Sequence, residues 1–204
     1  AFRTISRGSS GVYTITGRAR DVAGNEQAAS ALYRYDLTVP GVVITPSWTP
    51  STWYSYPVTL NAMASDAHSG MASVTLDGHT TSGASASQSI SRTSSGLYII
   101  YAVAQDNVGW TQTLNTTYRL DVTRPGLQLN PAWTPLTWYS TSVTLDATAS
   151  DAHAGVQSII LDGALTGGPS ASQVISRAQT GVYTIDGLAL DNAGNTQAGS
   201  TTYR

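Results

Sequence analysis

Aspartates in turn-like segments are the residues of this sequence that are best suited to chemistry. Asp21, Asp106 and Asp191 each begin a five-residue segment with glycine in fourth place, and asparagine ends two of the three copies. The pattern is typical of a hairpin turn, because Asp and Asn bond to their own backbone and Gly accepts a left-handed conformation. The same carboxylates, with the linker residues Asp36 and Asp121, would also suit calcium, a hard cation that takes oxygen ligands. The turn interpretation is the simpler one, and calcium at Asp21, Asp36, Asp106, Asp121 and Asp191 is the alternative.

Aspartate, histidine and a hydroxyl come together only in the two S-D-A-H segments. Asp66, His68 and Ser69 form the first set, but Ala154 replaces the serine in the second copy. A hydrolytic triad needs a nucleophile that is held by a base, so the loss of the hydroxyl argues against catalysis. We interpret the segment as a turn in which Asp66 accepts backbone N–H bonds and Gly70 takes a positive φ. The sequence therefore predicts no enzyme.

A tryptophan-rich loop is the most distinctive segment of the chain, and it occurs twice. Its rings would suit stacking on surface glycans, packing at one end of a small β-domain, or a contact within a polymer. Packing is favoured, because a core of alanines and glycines leaves space to fill. The interface or glycan candidates are Trp48, Trp53, Tyr54, Trp133, Trp138 and Tyr139, together with Trp110. Trp110 stands where the sister turns carry asparagine, and we predict that a neighbouring domain or subunit covers it.

Composition excludes several classes of function. Only 11% of the residues are charged, against about a quarter in a typical globular domain. The absence of lysine excludes Schiff-base, P-loop and Lys–Asn isopeptide chemistry, and the absence of cysteine excludes disulfides and thiolate sites. A net charge of −2 gives no electrostatic footprint for nucleic acid, and no apolar stretch is long enough for membrane insertion. No cofactor is required.

The sequence repeats itself at an offset of 85 residues. This offset aligns 38–119 with 123–204 without a gap, and more than half of the aligned positions are identical. Two full repeats, 37–121 and 122–204, follow the second half of another repeat at 1–36, whose first half we expect upstream in the same chain. Hydrophobic residues alternate with a period of two, which predicts strands at 42–45, 58–64, 72–76, 88–92, 97–104 and 112–120.

Short strands at this spacing predict an all-β chain of tandem immunoglobulin-like antiparallel β-sandwiches, with about 85 residues per repeat and equivalent strands at a constant offset. In the penultimate strand of each full repeat, Tyr98 with Ile100 and Tyr183 with Ile185 are predicted to face the core. Tyr13 and its two counterparts stand where a tyrosine corner would occur.

An ordered set of short motifs resembles the bacterial Ig-like tandem repeats of secreted and cell-surface proteins. The motifs are WYSYPVTL at 53–60, SDAHSG at 65–70, LDG at 76–78 and the DNVG turn at 106–109, with DVAGN and DNAGN as closer matches at 21–25 and 191–195. The resemblance covers every part of the chain. It implies an extracellular module of adhesins, filaments and secreted hydrolases, with no activity common to the family.

The predicted function is that of a non-catalytic structural segment of a long extracellular bacterial fibre, stalk or adhesin. Short linkers that contain proline, such as 36–40 and 121–125, limit hinge motion between repeats. The predicted partners are neighbouring repeats of the same chain, with a homo-oligomer or filament as a further expectation. The alternative is a carbohydrate-binding accessory module, which would need two coplanar, exposed rings in one domain.

Overall fold

The structure is a computed structural model that describes residues 2–134 and 136–204, and all regular structure in these residues is β-strand. The strands are β1 (Gly11–Arg20), β2 (Glu26–Tyr35), β3 (Gly41–Pro46), β4 (Trp53–Tyr54), β5 (Val58–Ser65), β6 (Met71–Leu76), β7 (His79–Ser82), β8 (Ser85–Ile90), β9 (Gly96–Asp106), β10 (Thr111–Leu120), β11 (Gly126–Pro131), β12 (Val143–Ser150), β13 (Val156–Leu161), β14 (Ala164–Gly167), β15 (Ser170–Ile175), β16 (Tyr183–Asp191) and β17 (Thr196–Tyr203). The predicted all-β class is confirmed.

Most equivalent strands recur 85 residues apart, as the ungapped alignment predicts, but β4 has no counterpart strand at residues 138–139. β3, β5, β6, β7 and β8 have the same lengths as β11, β12, β13, β14 and β15, and each pair begins at the same offset. The register repeats as well, since Val42 pairs with Ala64 and Leu127 pairs with Ala149. The repeat boundaries at 36/37 and 121/122 are defined by sequence identity and stay a prediction.

The described chain forms two compact units. The first contains the residues up to Ser47 together with Thr59–Ile90 and Ile99–Thr116, and the second contains Trp48–Val58, Ser91–Tyr98 and Thr117–Arg204. In the first unit, β1 pairs with β2 as a long antiparallel hairpin, and β3-β5-β8 form a three-stranded sheet. β9, β6 and β7 are neighbours in the sheet β4-β10-β9-β6-β7, and Val74 and Ile100 from this sheet are buried, as are Leu60 and Ile90 from the other.

The second unit contains a β-sandwich with a buried hydrophobic core. The sheets β11-β12-β15 and β14-β13-β16-β17 both contribute to one hydrophobic cluster. The cluster consists of Trp133, Leu145, Ala147, Ile159, Leu161, Ala171, Ile175, Ile185 and Tyr203. Alternate residues of β12 are buried, because successive side chains of a strand point to opposite faces of the sheet.

The penultimate strands have the predicted register. Ile100 and Ile185 are completely buried, and Tyr98 and Tyr183 are half-buried on the same face. The hydroxyl of each tyrosine donates to a carbonyl four residues upstream, to Ser94 at 2.6 Å and to the counterpart residue Gln179 at 2.7 Å. The predicted tyrosine corner is therefore formed in both strands.

Candidate functional site

The structure brings together two clusters of three aspartates, each within one compact unit. The members of each cluster come from the residue after a strand or from the last residue of a strand, and one carboxylate oxygen from each lies within 4.8 Å of the others. The clusters are Asp36, Asp66 and Asp106 in the first unit, and Asp121, Asp151 and Asp191 in the second. Sequence reasoning grouped the linker and hairpin aspartates but interpreted Asp66 only as a turn residue. Asp21, the remaining calcium candidate, belongs to neither cluster.

Asp36 is held by residues on several sides. Its Oδ1 accepts hydrogen bonds from the Thr38 hydroxyl, from the Thr38 backbone N–H at 2.9 Å and from the Ser10 hydroxyl at 3.1 Å. Its Oδ2 accepts from the Ser69 N–H at 3.0 Å. These bonds stabilise the ionised form, and the Thr38 hydroxyl contributes most to holding the pKa of Asp36 well below its usual range.

Asp66 organises the turn that the sequence predicts. Its Oδ1 accepts from the backbone N–H groups of His68 at 3.0 Å, Ser69 at 2.8 Å and Gly70 at 3.0 Å, and Gly70 has a φ of 75°. The His68 N–H is the largest cause that lowers the pKa of Asp66, while the nearby charge of Asp36 opposes the shift. The Ser69 hydroxyl donates to Asp66 at 3.2 Å, so this hydroxyl is bonded to a carboxylate.

Asp106 differs from its counterpart Asp191 in the hydrogen bonding of one carboxylate oxygen, Oδ2. The Oδ1 of Asp106 accepts from the N–H groups of Val108 and Trp110, but its Oδ2 is buried and has no hydrogen-bond partner. The Oδ2 of Asp191 accepts instead from the Asn195 side-chain amide at 2.8 Å, and that amide also donates to the carbonyl of Asp121 at 2.9 Å. The indole N–H of Trp110 reproduces only the second of these bonds, at 3.4 Å to the carbonyl of Asp36.

Asp121 lies in the linker and is completely buried, as is Asp191 of the same cluster. Burial opposes its ionisation, but hydrogen bonds from the side chain and backbone of Thr123, from the Ala154 N–H and from the Ser95 hydroxyl outweigh burial and lower its pKa. The Thr123 N–H, the Ala154 N–H and the Ser95 hydroxyl lie at 3.0, 2.9 and 3.0 Å. His153 Nδ1 lies 3.9 Å from the same carboxylate.

Carboxylate and carbonyl oxygens are the ligands that calcium takes. Among residues 2–134 and 136–204, the two three-aspartate clusters are groups that could hold such an ion. Asp21 instead bonds within its own turn, where the Asn25 side chain and N–H both donate at 2.8 Å. The Asn25 amide is the main reason that the pKa of Asp21 is lowered.

Two of the interface or glycan candidates, Trp48 and Trp133, are core residues, so the glycan and interface alternatives do not apply to them. Trp48 and Trp133 are each only 5% exposed, and their indole N–H groups donate to the carbonyls of Thr117 and Thr202 at 2.7 and 2.8 Å. Each indole packs edge-on against a tyrosine ring, with centroids 5.8 Å apart. The packing interpretation therefore holds for these two rings, which fill the end of a sandwich.

The other aromatic candidates divide by exposure. Trp53 is half-buried between the Arg119 guanidinium, 5.7 Å from its centroid, and the His153 ring, 6.3 Å away and edge-on. Its counterpart Trp138 is 57% exposed, and Trp110 is 44% exposed. Tyr54 and Tyr139 are half-buried, and their hydroxyls accept from the Thr49 and Thr134 N–H groups at 3.0 and 2.9 Å. Trp110 and Trp138 belong to different compact units, so they do not supply two coplanar rings in one domain.

The sequence contains a signal that could have grouped Asp66 and Asp151 with the linker aspartates. The S-D-A-H segment follows a strand directly, as the linker aspartates do, and strand ends of an antiparallel sandwich gather at its two poles. Which pole each strand end reaches depends on the connections between the two sheets. Local pattern alone therefore indicated turns for Asp66 and Asp151 without indicating that these turns meet the linker.

Comparison with known proteins finds no matching family model and no matching curated protein. The fibronectin(III)-like modules of Clostridium thermocellum CbhA are similar with a TM-score of 0.42 at 18% identity, over 79% of this chain and 93% of that chain. A tetra-tandem repeat in the extending region of a large adhesion protein gives 0.37 at 23% identity, over 95% of this chain and 56% of that one. Extracellular cadherin domains 3–6 of protocadherin gamma B2 give 0.39 at 17% identity, over 95% and 56%. The chain thus spans about half the length of the last two.

No helix with the length and hydropathy needed to cross a membrane occurs in residues 2–134 and 136–204.

Proposed function

We propose that this chain is a non-catalytic structural segment of an extracellular bacterial fibre, stalk or adhesin, whose Ig-like repeats are coupled stiffly through their linkers. The observation that carries the proposal is the burial of Asp121, which lies in the linker between the two full repeats. Its carboxylate accepts bonds from Ser95 in the preceding repeat, from Ala154 in the following repeat and from Thr123 in the linker. A linker that is tied on both sides resists hinge motion.

The half-repeat at the start of the sequence supports the same proposal. The Ser10 hydroxyl donates to Asp36, and the Ser69 N–H donates to the same carboxylate from the following repeat. The two linkers therefore use equivalent residues at an offset of 85. A contact that recurs in this way suits an array in which each repeat positions the next.

Calcium at the junctions stays a prediction that this function can accommodate. Most carboxylate oxygens of the clusters already accept hydrogen bonds from the protein, so a bound ion would reinforce a junction that the protein forms itself. The unpartnered Oδ2 of Asp106 is the oxygen that gains most from a cation.

The carbohydrate-binding alternative is less well supported as a proposal. Trp48 and Trp133 are buried, so a glycan would have to contact other rings. Tyr56 is exposed, but its ring stands at 81° to the ring of Tyr54, which does not give the coplanar pair that a sugar-binding platform needs.

Electron microscopy of the native assembly tests the proposed function. We expect a fibre or stalk in which a unit of regular length repeats along the axis. A globular particle, in which these repeats decorate a catalytic body without extending from it, would contradict the proposal. Labelling with an antibody fragment against the tryptophan loop would identify the repeats in either case.

A further inference from the structure

A hydroxyl recurs at three equivalent positions, and two of the three copies bind a linker. The Ser10 hydroxyl donates to Asp36 at 3.1 Å and accepts from the Leu37 N–H at 2.9 Å. The Ser95 hydroxyl donates to Asp121 at 3.0 Å and accepts from the Val122 N–H at 3.0 Å. In both linkers the hydroxyl fixes the carboxylate and the next peptide group. The third copy of this position, at the same offset of 85, is Thr180.

The second unit shows what surrounds such a hydroxyl at a formed junction. The carbonyl of Tyr54 accepts from the Asp121 N–H at 2.9 Å, which holds the linker backbone against β4. Trp53 lies between Arg119 of its own repeat and His153 of the following repeat. Backbone bonds, a hydroxyl and an indole together hold one sandwich against the linker and histidine of the next.

The same set of groups occurs a second time in the second unit, around Arg204. Trp138 has its ring 6.0 Å from the Arg204 guanidinium, and the Tyr139 N–H donates to the Arg204 carbonyl at 3.0 Å. These residues line a cleft of about 400 Å³ together with Thr180, Gly181 and Tyr183. Trp138 is 57% exposed, whereas its counterpart Trp53 is half-buried against a histidine.

We propose that this end face, formed by Trp138, Tyr139, Thr180 and Arg204, binds a further Ig-like repeat that is entered through an aspartate-bearing linker. The linker aspartate bonds to the Thr180 hydroxyl, its backbone bonds to the Tyr139 carbonyl, and a histidine of the incoming repeat packs on Trp138. The inference rests on the proposed function and names the residues that perform it at this face. A repeat is favoured over a glycan because the equivalent residues already hold a linker and a repeat in this chain. Tyr54 and Ser95 bond to the linker residue Asp121. Trp53, which also contacts Arg119, packs against His153 of the following repeat.

The test extends the chain after Arg204 with a copy of residues 120–204, so that the second junction sequence follows the face directly. Both the original and the extended chain are labelled with 5-fluorotryptophan, and a Trp138→Phe variant assigns the resonance. The difference in ¹⁹F shift between H₂O and D₂O measures how far each indole is exposed to solvent. We expect the Trp138 value to fall to that of Trp53 in the extended chain and to rise again in its Thr180→Val variant.

Trp53 serves as the internal reference. Ser95→Ala should increase the solvent exposure of the Trp53 indole, as Thr180→Val should for Trp138 in the extended chain. If the Trp53 indole is already exposed to solvent in the original chain, the result counts against the proposed function itself. A protected Trp53 with an unchanged Trp138 in the folded extended chain would overturn only the proposal for the end face. Protection of Trp138 in the original chain by cellohexaose or chitohexaose, without protection by the added repeat, would also overturn it in favour of a glycan.

A shorter extension covers the case in which the added repeat fails to fold. Residues 120–125 are appended alone, and the amide shifts of residues 139, 180 and 181 are compared with those of a variant whose appended aspartate is alanine. We expect shifts in these residues that disappear in the alanine variant. Identical spectra for the two extensions would overturn the proposal.

Discussion

Single carboxylates determine how the linkers are held, and Asp121 is the clearest case. Its side chain is completely buried and accepts bonds from three residues. We expect Asp121→Ala to lower the free energy of unfolding by about 2–4 kcal/mol, because buried donors lose a charged acceptor. Urea denaturation measures the change, and Asp146→Ala, which removes an exposed carboxylate from β12, is the control. Equal effects of the two substitutions would show that the linker bonds contribute nothing.

The pH dependence of stability follows from the same bonds. The pKa values of Asp36, Asp66 and Asp121 are lowered in the folded chain. A carboxylate with a lowered pKa stabilises the fold fully above the pKa of the unfolded chain, about 3.9, and loses this contribution as the pH falls through its folded value. The transition temperature of thermal unfolding should therefore be similar at pH 7 and pH 5 and lower below about pH 4. The decrease below pH 4 should be smaller in Asp121→Asn. A transition temperature that rises on acidification would contradict this sign.

Trp110 shows what one substitution does to a turn. Asn195 bonds to both Asp191 and the Asp121 carbonyl, whereas Trp110 leaves the Oδ2 of Asp106 without a partner. We expect Trp110→Asn to raise the free energy of unfolding by about 1 kcal/mol, since it supplies the missing donor. Chemical denaturation tests this, with Trp110→Ala as the control that removes the ring without adding an amide. If the asparagine variant is no more stable than the alanine variant, the buried oxygen has another source of stabilisation.

The prediction that a neighbouring domain or subunit covers Trp110 is tested by assembly measurements on the same variants.

At the scale of the strands, tight turns set the hairpins that surround the core. Asp162 and Gly163 have φ values of 47° and 82° between β13 and β14, which fits the type I′ turn favoured by Asp-Gly. We expect Gly163→Ala to destabilise the chain by about 1 kcal/mol, because alanine resists a positive φ. Gly167→Ala is a matched control, since a Cβ has open space at both positions and only Gly163 has a positive φ. Equal thermal stability of the two variants would show that the turn relaxes.

Much of the strand arrangement could be predicted from the sequence. Alternation indicates β5 and β12 because one face of each strand is buried, and the constant offset follows from an alignment without gaps. The burial of Trp48 and Trp133 could not be predicted from local pattern. Both residues lie in loops, where hydrophobic residues do not alternate with polar ones and so do not indicate which side chains are buried. Their positions depend on which carbonyls the opposite strand presents, here those of Thr117 and Thr202.

At the scale of the whole molecule, calcium would act on the junctions rather than on the cores. We expect chelation to loosen the linkers with little change in the thermal unfolding of either sandwich, because the hydrophobic cores contain none of the clustered aspartates. Isothermal titration with calcium, repeated on Asp66→Asn and Asp151→Asn, tests the clusters, and Asp21→Asn is the control outside them. Loss of binding in Asp21→Asn alone would place the ion elsewhere, and no binding in the parent chain would remove calcium from the account.

The central claim is that the linker couples one repeat stiffly to the next, and a distance distribution across the Asp121 junction tests it most directly. The sequence contains no cysteine, so Thr52→Cys and Thr166→Cys, both at exposed positions of the second unit, accept two spin labels without competing sites. Double electron–electron resonance should give one narrow distribution, and Asp121→Ala should broaden it. A broad distribution in the parent chain, unchanged by Asp121→Ala, would show a flexible linker and contradict the account.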